Sequence, residues 1–491
     1  MTIELRRGDA RVSSSGTGTR STSVEDILRG NDPASFIEAV TAEDVKIKDL
    51  GKCLLPSPIA KHLGDKALHF VGAADKVLVN DRISSLEAHG DRPSELPAFE
   101  LAGPRNKIFF DPRMVRAGIV TCGGLCPGLN NVVRGLVYEL SRGYGAQRIL
   151  GFRYGYEGLI SRYGHQPLVL TPESVESIHH HGGTVLGSSR GNQDAGEIVD
   201  NLEALGIDIL FVVGGDGTIR GACQIVSEIQ RRKLKIAVIG VPKTIDNDIH
   251  FIDRSFGFET AVSAAVEVIR AAQVEATGAR DGIGLVKVMG RHSGFVACRA
   301  AVAASVVDLV LIPEIPAVLE GEQGIIHYLN RVLNRKGHAV VVVAEVAAQE
   351  LIAEESGGPS TDKSGNAKLR DVGAFLRERI VTHFRQARRD VTLKYIDPSY
   401  TIRSVPASAS DSVYCWNMAR NAVHAAMAGN TEMIVARWHS RFVHVPMPLA
   451  IRGRKQVDPA EDSWLSVCEA TGQPTCFAGV ESGAIELAIG S

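Results

Sequence analysis

From about Val115 onward, the chain alternates short apolar runs with longer segments in which apolar residues recur every three to four positions. The apolar runs predict buried strands and the periodic segments predict amphipathic helices. Strands are predicted at 115–121, 147–152, 207–215, 235–241, 283–289, 307–313 and 338–345. Helices are predicted at 130–142, with Asn130 as N-cap, and at 218–232, 260–273, 292–304 and 320–334. Continuously apolar strands alternating with helices predict an α/β fold whose parallel sheets are covered on both faces.

Polar and glycine-rich residues are concentrated at the carboxyl ends of the predicted strands. They form the stretches TCGGLCPGLN (121–130), GGDGT (214–218), PKTIDND (242–248), MGRHSG (289–294) and AE (344–345). In open parallel sheets, ligands bind beyond the carboxyl ends of the strands. We therefore expect these stretches to meet in one site.

The first two stretches are typical of phosphate binding. Gly123 and Gly124 let backbone amides approach an anion closely, and the following helix offers its N-terminal donors to the same anion. Asp216 is suited to a Mg²⁺ ion carried on nucleotide phosphates, and Gly217 leaves room for a phosphate. A tight strand-to-helix turn is the alternative for both stretches, and Thr218 is either a ligand or only the cap of the next helix.

PKTIDND brings three charged side chains to the edge of a core, where burial is costly without a reason. In an extended segment Asp246 and Asp248 project to the same side. One carboxylate can then accept a proton while the other orients it or a metal ion, as phosphoryl transfer to an alcohol requires. We predict Asp246 as the base, Thr244 as a hydrogen-bond partner of the acceptor and Lys243 as a cation for the phosphate. A structural ion pair between Lys243 and an aspartate is the alternative.

Further cations lie on predicted turns. Arg291 follows a strand and Arg190 lies on the loop GSSRG (187–191). Lys394 and Arg403, with Tyr400 between them, resemble a second phosphate-binding group. For each arginine, a surface ion pair is the alternative.

The composition of the 491 residues excludes several classes of protein. With 54 basic and 56 acidic side chains the net charge is −2, which gives no general attraction to nucleic acid or to an acidic membrane. No apolar run approaches the roughly 20 residues of a membrane span. The first 25 residues lack the apolar core of a secretory signal, and the eight cysteines lack zinc-type spacing. We expect a cytoplasmic protein without nucleic-acid or membrane partners.

The length predicts more than one domain. The Pro-rich stretch 88–105 is predicted to be a linker. The predicted division is a partly disordered N-terminal extension (1–109), a nucleotide-binding lobe (110–257 and 403–452), a sugar-phosphate-binding lobe (258–402) and a C-terminal extension (453–491).

The ordered set GGLCPGLN, GSSRG, GGDGT, PKTIDND, MGRHSG, AE and YTIR resembles the phosphofructokinase family over about residues 115–450. The stretches PKTIDNDI, IGLVKVMGRHSGFVA and KYIDPSYTIRSVPASASD are similar to its long ATP-dependent branch in plants, trypanosomatids and some bacteria. The resemblance implies two Rossmann-like lobes of three-layer αβα architecture. It also implies Mg²⁺-dependent transfer of the γ-phosphoryl group of ATP to the 1-hydroxyl of fructose 6-phosphate.

Site residues are carried over from the family motif by motif. The resemblance implies ATP binding by Gly123, Gly124, Arg190, Gly191, Gly215, Asp216, Gly217 and Thr218, with Asp216 on Mg²⁺. It implies sugar-phosphate binding by Thr244, Ile245, Asp246, Met289, Gly290, Arg291, Glu345, Tyr400 and Arg403. The catalytic group is then Asp246, Arg190, Lys243 and Thr244. A homo-oligomer, either a tetramer or a dimer, is also implied.

Some positions depart from the short bacterial enzymes of the family. Gly282 and Lys394 stand where those enzymes have phosphate-binding arginines, so phosphate binding must be arranged differently. In pyrophosphate-using relatives the last glycine of GGDG is typically Asp, so Gly217 favours ATP, whereas Lys243 is the residue type that the pyrophosphate enzymes carry. A pyrophosphate-dependent enzyme, an NAD or diacylglycerol kinase and a non-catalytic regulatory subunit stay open as alternatives.

Overall fold

A computed structural model describes residues 33–59, 70–88, 96–191, 193–356 and 370–477. The predicted disordered tail lies outside the described residues. The strands are β1 (Lys48–Asp49), β2 (Leu55–Pro56), β3 (Lys76–Leu78), β4 (Ala98–Leu101), β5 (Lys107–Ile108), β6 (Arg116–Thr121), β7 (Arg148–Phe152), β8 (Leu168–Val169), β9 (Ile209–Gly214), β10 (Ala237–Pro242), β11 (Gly282–Val288), β12 (Leu309–Leu311), β13 (His338–Ala344), β14 (Thr392–Ile396), β15 (Asn430–Thr431), β16 (Met433–Trp438) and β17 (Arg441–Pro446).

The helices carry separate labels. They are α1 (Pro33–Glu38), α2 (Ile83–Ala88), α3 (Leu129–Tyr138), α4 (Ala195–Leu205), α5 (Asp216–Arg231), α6 (Phe258–Thr277), α7 (Phe295–Ala304), α8 (Ile325–Lys336), α9 (Gln349–Ser356), α10 (Val372–Gln386), α11 (Ser399–Ser404), α12 (Ala409–Met427), α13 (Met447–Ala450) and α14 (Asp462–Thr471). None of these helices is both long and apolar enough to cross a membrane.

The larger sheet has nine strands in the order β3-β4-β17-β16-β10-β9-β6-β7-β8. Its centre, from β16 to β7, is parallel. Both ends are antiparallel, since β8 pairs antiparallel with β7 and the strands β17, β4 and β3 pair antiparallel in turn beyond β16. The α/β prediction is therefore confirmed for the fold class, while the sheet is mixed rather than purely parallel.

Both faces of the larger sheet are buried. Along β9, Phe211 and Val213 face a core that includes helices α3 and α12, while Leu210 and Val212 face a second core that includes α4 and α5. Alternate residues of a strand point to opposite faces, so an uninterrupted apolar strand is what two covered faces require.

The smaller sheet is parallel throughout, in the order β12-β13-β11-β14. Its strands share one apolar core with residues of α6, α7, α8 and α10. The chain returns to the larger sheet through β16 and β17. The exact lobe boundaries proposed from the sequence stay a prediction.

Two local predictions are wrong. Helix α3 begins at Leu129, and its N-cap is Gly128 rather than Asn130. Gly128 has a φ of 101°, a left-handed value that glycine adopts without strain. The Asn130 side chain instead donates to the carbonyl of His181 and accepts from the amide of Val185, which fixes a neighbouring loop. Part of the predicted linker, Ala98–Leu101, is a strand of the larger sheet.

The C-terminal region contributes to the core of the smaller sheet. Trp464 on α14 is 1% exposed, and its indole nitrogen donates to the carbonyl of Thr475 at 3.0 Å. Helix α14 packs against α7, and Phe477 is buried in the same core. The sequence offered no assignment for this region.

We expect Trp464→Ala to lower the free energy of unfolding by about 3–5 kcal/mol, because it leaves a cavity in this core. Leu465→Ala is the matched control, since the next side chain along is 42% exposed. Urea unfolding of both variants would measure the difference. Equal effects of the two substitutions would contradict the burial of Trp464.

Candidate active site

The strand register brings the predicted ligand stretches to one edge of the larger sheet. Thr121 of β6 pairs with Val213 of β9, and Gly214 pairs with Pro242 of β10. The three strands therefore end side by side. Gly123, Asp216 and Lys243 follow directly at this edge, as the sequence predicted.

A glycine turn lies against the loop GSSRG. Gly123 has a φ of +83°, its amide donates to the carbonyl of Ser189 at 3.1 Å, and its carbonyl accepts from Ser188 Oγ at 2.6 Å. Gly191, at the end of this loop, has a φ of +110°. The turn and the loop are thus joined into one backbone-lined surface.

Two arginines distant in the sequence converge on Gly124. A Cβ added there would lie 3.4 Å from Nη2 of Arg190 and 3.8 Å from Nη1 of Arg403. The carbonyl of Gly124 also accepts from Lys243 Nζ at 2.6 Å. Three cations around a glycine turn make a strongly anion-attracting site.

Asp216 is the first residue of α5 and not part of a preceding loop. Its Oδ2 atom lies 3.1 Å from Nε of Arg220 and 3.7 Å from Nη2 of Arg454. Thr218 lies inside the first turn of the same helix, so it is not the N-cap; Gly215 holds that position. The Oγ1 atom of Thr218 lies 4.0 Å from the position that a Cβ at Gly123 would occupy.

The donor set at Asp216 fits magnesium that arrives on a nucleotide. Mg²⁺ takes one or two carboxylates and fills its remaining positions with phosphate and water oxygens. Within the described ranges no three His, Cys, Asp or Glu side chains are grouped closely enough to hold a metal ion. A single carboxylate beside the glycine turn is what a nucleotide-borne cation needs.

Gly217 borders open space. A Cβ added at this position would meet no protein atom within 4 Å. Its backbone is helical, with no positive φ to exclude other residues. A larger side chain at this position therefore fits the fold.

Lys243 is buried, and burial lowers the pKa of its ammonium group. In the described part of the chain no ion pair within 4.0 Å joins it to an aspartate; its Nζ atom donates to the Gly124 carbonyl. The structural ion pair considered from the sequence is therefore absent. The charge of Lys243 remains available to the turn where phosphate binding is predicted.

The segment that carries Asp246 and Asp248 is not extended. Asn247 has a φ of 57°, and its Oδ1 atom accepts from the amide of Ser255 at 2.9 Å. Thr244 Oγ1 donates to Asp248 Oδ1 at 3.0 Å and accepts from the amide of Asp246 at 3.1 Å. The two carboxylates lie close together through this tight turn rather than through strand alternation.

The carboxyl group of Asp246 has a strongly raised pKa. Burial raises its pKa to about 7, helped by the charges of Asp248 and Glu345 and opposed by Lys243 and the amide of Arg291. Its Oδ1 atom is buried without a hydrogen-bond partner among the residues described. An unpaired carboxylate oxygen with a near-neutral pKa is a typical general base.

The smaller sheet supplies a second set of side chains. Val288 pairs with Ala344, and the amide of Glu345 donates to the carbonyl of Val288 at 3.0 Å. Gly290, with a φ of +136°, turns the chain toward Arg291, and Met289 packs against the cores of both sheets. These residues meet the Asp246 turn, since Glu345 and Arg291 both influence the Asp246 carboxyl.

Tyr400 and Arg403 lie on the short helix α11. The Arg403 guanidinium lies 4.8 Å from the centre of the Tyr400 ring, which is 75% exposed. The Nε atom of Arg403 is buried without a partner among the described residues. Ile245 packs into the apolar core, so only its backbone can face a ligand, and Lys394 lies exposed within β14.

Sequence reasoning missed the segment 451–457, which passes behind Asp216 and Asp248. Arg454 contacts Asp216, and the amide of Lys455 donates to the carbonyl of Asp248 at 2.9 Å. The basic run RGRK (452–455) was the signal available, but it follows the last strand and no local motif ties it to a site.

Comparisons with known proteins identify the family of the chain. The family model for phosphofructokinase matches residues 116–426. The chain belongs to the phosphofructokinase family. An ATP-dependent 6-phosphofructokinase of Amycolatopsis methanolica is 52% identical over 444 residues, which cover 89% of this chain and 96% of that protein. One from Trypanosoma cruzi is 42% identical over 445 residues, 89% of this chain and 90% of that protein.

Solved phosphofructokinase structures share the fold. A pyrophosphate-dependent enzyme from Marinobacter aquaeolei aligns with a TM-score of 0.59 at 19% identity and covers 71% of this chain and 88% of its own. One from Nitrosospira multiformis gives 0.57 at 17% identity, with coverages of 76% and 95%. At such identities the likeness establishes the phosphofructokinase fold alone.

The raised pKa of Asp246 predicts a pH-dependent stability cost. The folded state binds the proton of Asp246 more tightly than the unfolded state does. The contribution of Asp246 to the free energy of unfolding therefore falls as pH rises from about 4 to about 7 and is then constant. We expect Asp246→Asn to raise the free energy of unfolding relative to the wild type by up to about 4 kcal/mol at pH 8, and much less at pH 5. Urea unfolding at both pH values measures the change.

Asp44→Asn is the control for that experiment. Hydrogen bonds from Thr41 lower the pKa of Asp44 to about 2, so its stabilising contribution is already complete at pH 5. Its effect on unfolding should not grow between pH 5 and pH 8. A constant effect of Asp246→Asn over that range would show that Asp246 is not perturbed.

Proposed function

We propose that the chain is an ATP-dependent 6-phosphofructokinase, which transfers the γ-phosphoryl group of ATP to the 1-hydroxyl of fructose 6-phosphate. Curated relatives that bear this name match most of the chain at 42–52% identity. The observation that carries the mechanism is the buried, unpartnered Oδ1 atom of Asp246. The products are fructose 1,6-bisphosphate and ADP.

The nucleotide phosphates bind at the joined glycine turns. Backbone amides of Gly124 and Gly215, with the N-terminus of α5, face the anion, and Thr218 supplies a hydroxyl beside them. Gly123, whose amide donates to the Ser189 carbonyl, shapes the turn that lets the phosphates approach. Asp216 would hold Mg²⁺, which when bound neutralises charge on the phosphates. Taking up the ion requires Asp216 to exchange at least part of its contact with Arg220 and Arg454.

Asp246 removes the proton from the attacking hydroxyl. The sugar O–H bond breaks, the oxygen forms its bond to the γ-phosphorus, and the bond from that phosphorus to the bridging oxygen breaks to release ADP. A carboxyl pKa of about 7 leaves a substantial ionised fraction at neutral pH and makes the anion more basic than a free carboxylate. Lys243 and Arg190, which flank the Gly124 turn, stabilise charge on the transferring group.

The sugar phosphate binds between the two sheets. Arg291 and Arg403 supply guanidinium groups for its phosphate, and Glu345 accepts from sugar hydroxyls. Thr244, Met289 and the turn at Gly290 shape the pocket around the sugar. The exposed ring of Tyr400 would become covered by the bound substrate.

Compartment and assembly are finer proposals. The family resemblance supports a cytoplasmic homo-oligomer, a tetramer or a dimer. Two Arabidopsis thaliana relatives carry chloroplastic in their names, so members of the family occupy different compartments. Sedimentation equilibrium of the purified chain would measure the assembly.

We expect the purified chain to form fructose 1,6-bisphosphate from fructose 6-phosphate and MgATP, and Asp246→Asn to lower kcat by about 10²–10⁴-fold because the base is lost. An aldolase-coupled assay measures the rate. NAD and a diacylglycerol serve as competing acceptors. Activity with either of these and not with fructose 6-phosphate would overturn the proposal, and no activity with any acceptor would favour a regulatory subunit.

Gly217 tests the choice of phosphoryl donor. Gly217→Asp fits the fold but places a carboxylate beside the α-phosphate of ATP, so we expect at least a tenfold weaker affinity for ATP. Gly217→Asn, of equal size and no charge, separates crowding from repulsion. Rates with ATP and with pyrophosphate should be measured side by side. Unchanged ATP affinity in Gly217→Asp, or a wild type that prefers pyrophosphate, would refute the assignment.

A further inference from the structure

The segment 451–457 joins both halves of the proposed site. Arg220 Nη2 donates to the carbonyl of Ile451 at 2.7 Å, which ties the segment to α5. Further along, the amide of Val457 donates to Glu314 Oε1 at 2.9 Å, and the same oxygen accepts from the amide of Gly294 at 2.9 Å. The segment is thereby fixed to the helix that begins at Asp216 and to the turn that carries Arg291.

Arg454 lies in the middle of this segment and points toward the carboxylates. Its Nη2 atom is 3.7 Å from Asp216 Oδ2, and its side chain is 37% exposed. Burial lowers the pKa of His292 to about 4, and the charge of Arg454 is the next cause. Burial raises the pKa of Asp248, and Arg454 opposes that rise. The guanidinium therefore lies among the side chains that line the proposed cleft.

The other cations of the segment face elsewhere. Arg452 pairs with Asp44 on the N-terminal part of the chain. Lys455 Nζ donates to the carbonyls of Ile252 and Asp253 at 2.8 and 3.4 Å and lies 5.2 Å from the centre of the Phe295 ring. Arg454 is left as the cation of this segment that faces Asp216.

Charge balance indicates what Arg454 would bind. Asp216 carries one negative charge and is contacted by two arginines. A divalent cation on Asp216 would repel both guanidinium groups, and Arg220 is held in place by the Ile451 carbonyl. Arg454 would then need another anion within reach, and its planar donor fork suits phosphate oxygens.

We propose that Arg454 is a phosphate-contacting residue of the active site, which binds the polyphosphate chain of the nucleotide beside Asp216. This inference rests on the proposed function, since it takes the nucleotide as the ligand. It assigns a role in the site to a segment beyond the matched family region, which ends at residue 426.

Arg454→Ala and Arg452→Ala are a matched pair for the test, two positions apart on one segment. Isothermal titration calorimetry with MgATP and, separately, with fructose 6-phosphate measures both affinities, and steady-state kinetics gives kcat. For Arg454→Ala we expect at least tenfold weaker MgATP binding, at least tenfold lower kcat and fructose 6-phosphate affinity within twofold of the wild type. Arg452→Ala should stay within twofold of the wild type in all three.

Two further measurements separate a ligand contact from a structural role. Arg454→Lys keeps the charge without the fork, so its MgATP affinity should fall between those of the wild type and Arg454→Ala. Raising the salt concentration should reduce the difference in MgATP affinity between the wild type and Arg454→Ala, because salt screens the charge of Arg454. MgATP binding by Arg454→Ala within twofold of Arg452→Ala would overturn the inference, as would an equal loss of affinity for both ligands.

Different outcomes would refute the proposed function and the role of Arg454. A wild-type chain that does not phosphorylate fructose 6-phosphate contradicts the function, whatever the variants do. An active wild type with an unaffected Arg454→Ala variant contradicts only the role of Arg454.

Discussion

The crowding of negative charge around Asp246 is the constraint on which the site depends. Burial and the neighbouring charges of Asp248 and Glu345 make the ionised form expensive, while Lys243 and the amide of Arg291 offset only part of that cost. An isolated turn could not hold these groups together, because their repulsion would separate them. Two packed sheets and three apolar cores keep the groups in place.

The register of the parallel strands converts a linear sequence into this cluster. Strands β6, β9 and β10 end together, so residues more than one hundred positions apart, such as Gly123 and Lys243, come into contact. Strands β11 and β13 also end side by side, which places Arg291 and Glu345 at one edge of the smaller sheet. Because each strand is buried on both faces, a slip of its pairing would disturb the packing of two layers.

Strand pattern and motif order were enough to predict the α/β class, the family and the edge at which the site residues lie. Local detail was harder to predict from the sequence, because it depends on contacts between residues that are far apart along the chain. Asn130 had the right chemistry for a cap, but Gly128 starts the helix and the amide binds a remote loop. Asn247 adopts a positive φ that alternation cannot predict. The strand at Ala98–Leu101 forms by pairing with the distant C-terminal strand β17 on one side and with β3 on the other. Arg454 reaches the site through the tertiary fold alone.

The position of the C-terminal region affects how this enzyme would be degraded. Residues 451–457 cross behind Asp216 and Asp248, and Trp464 and Phe477 then anchor the following residues in the smaller core. An exopeptidase that removed Trp464 and Phe477 would loosen the segment 451–457 before it reached any strand. Disturbance of the contacts around Asp216 and exposure of the smaller core to further proteolysis would therefore begin together.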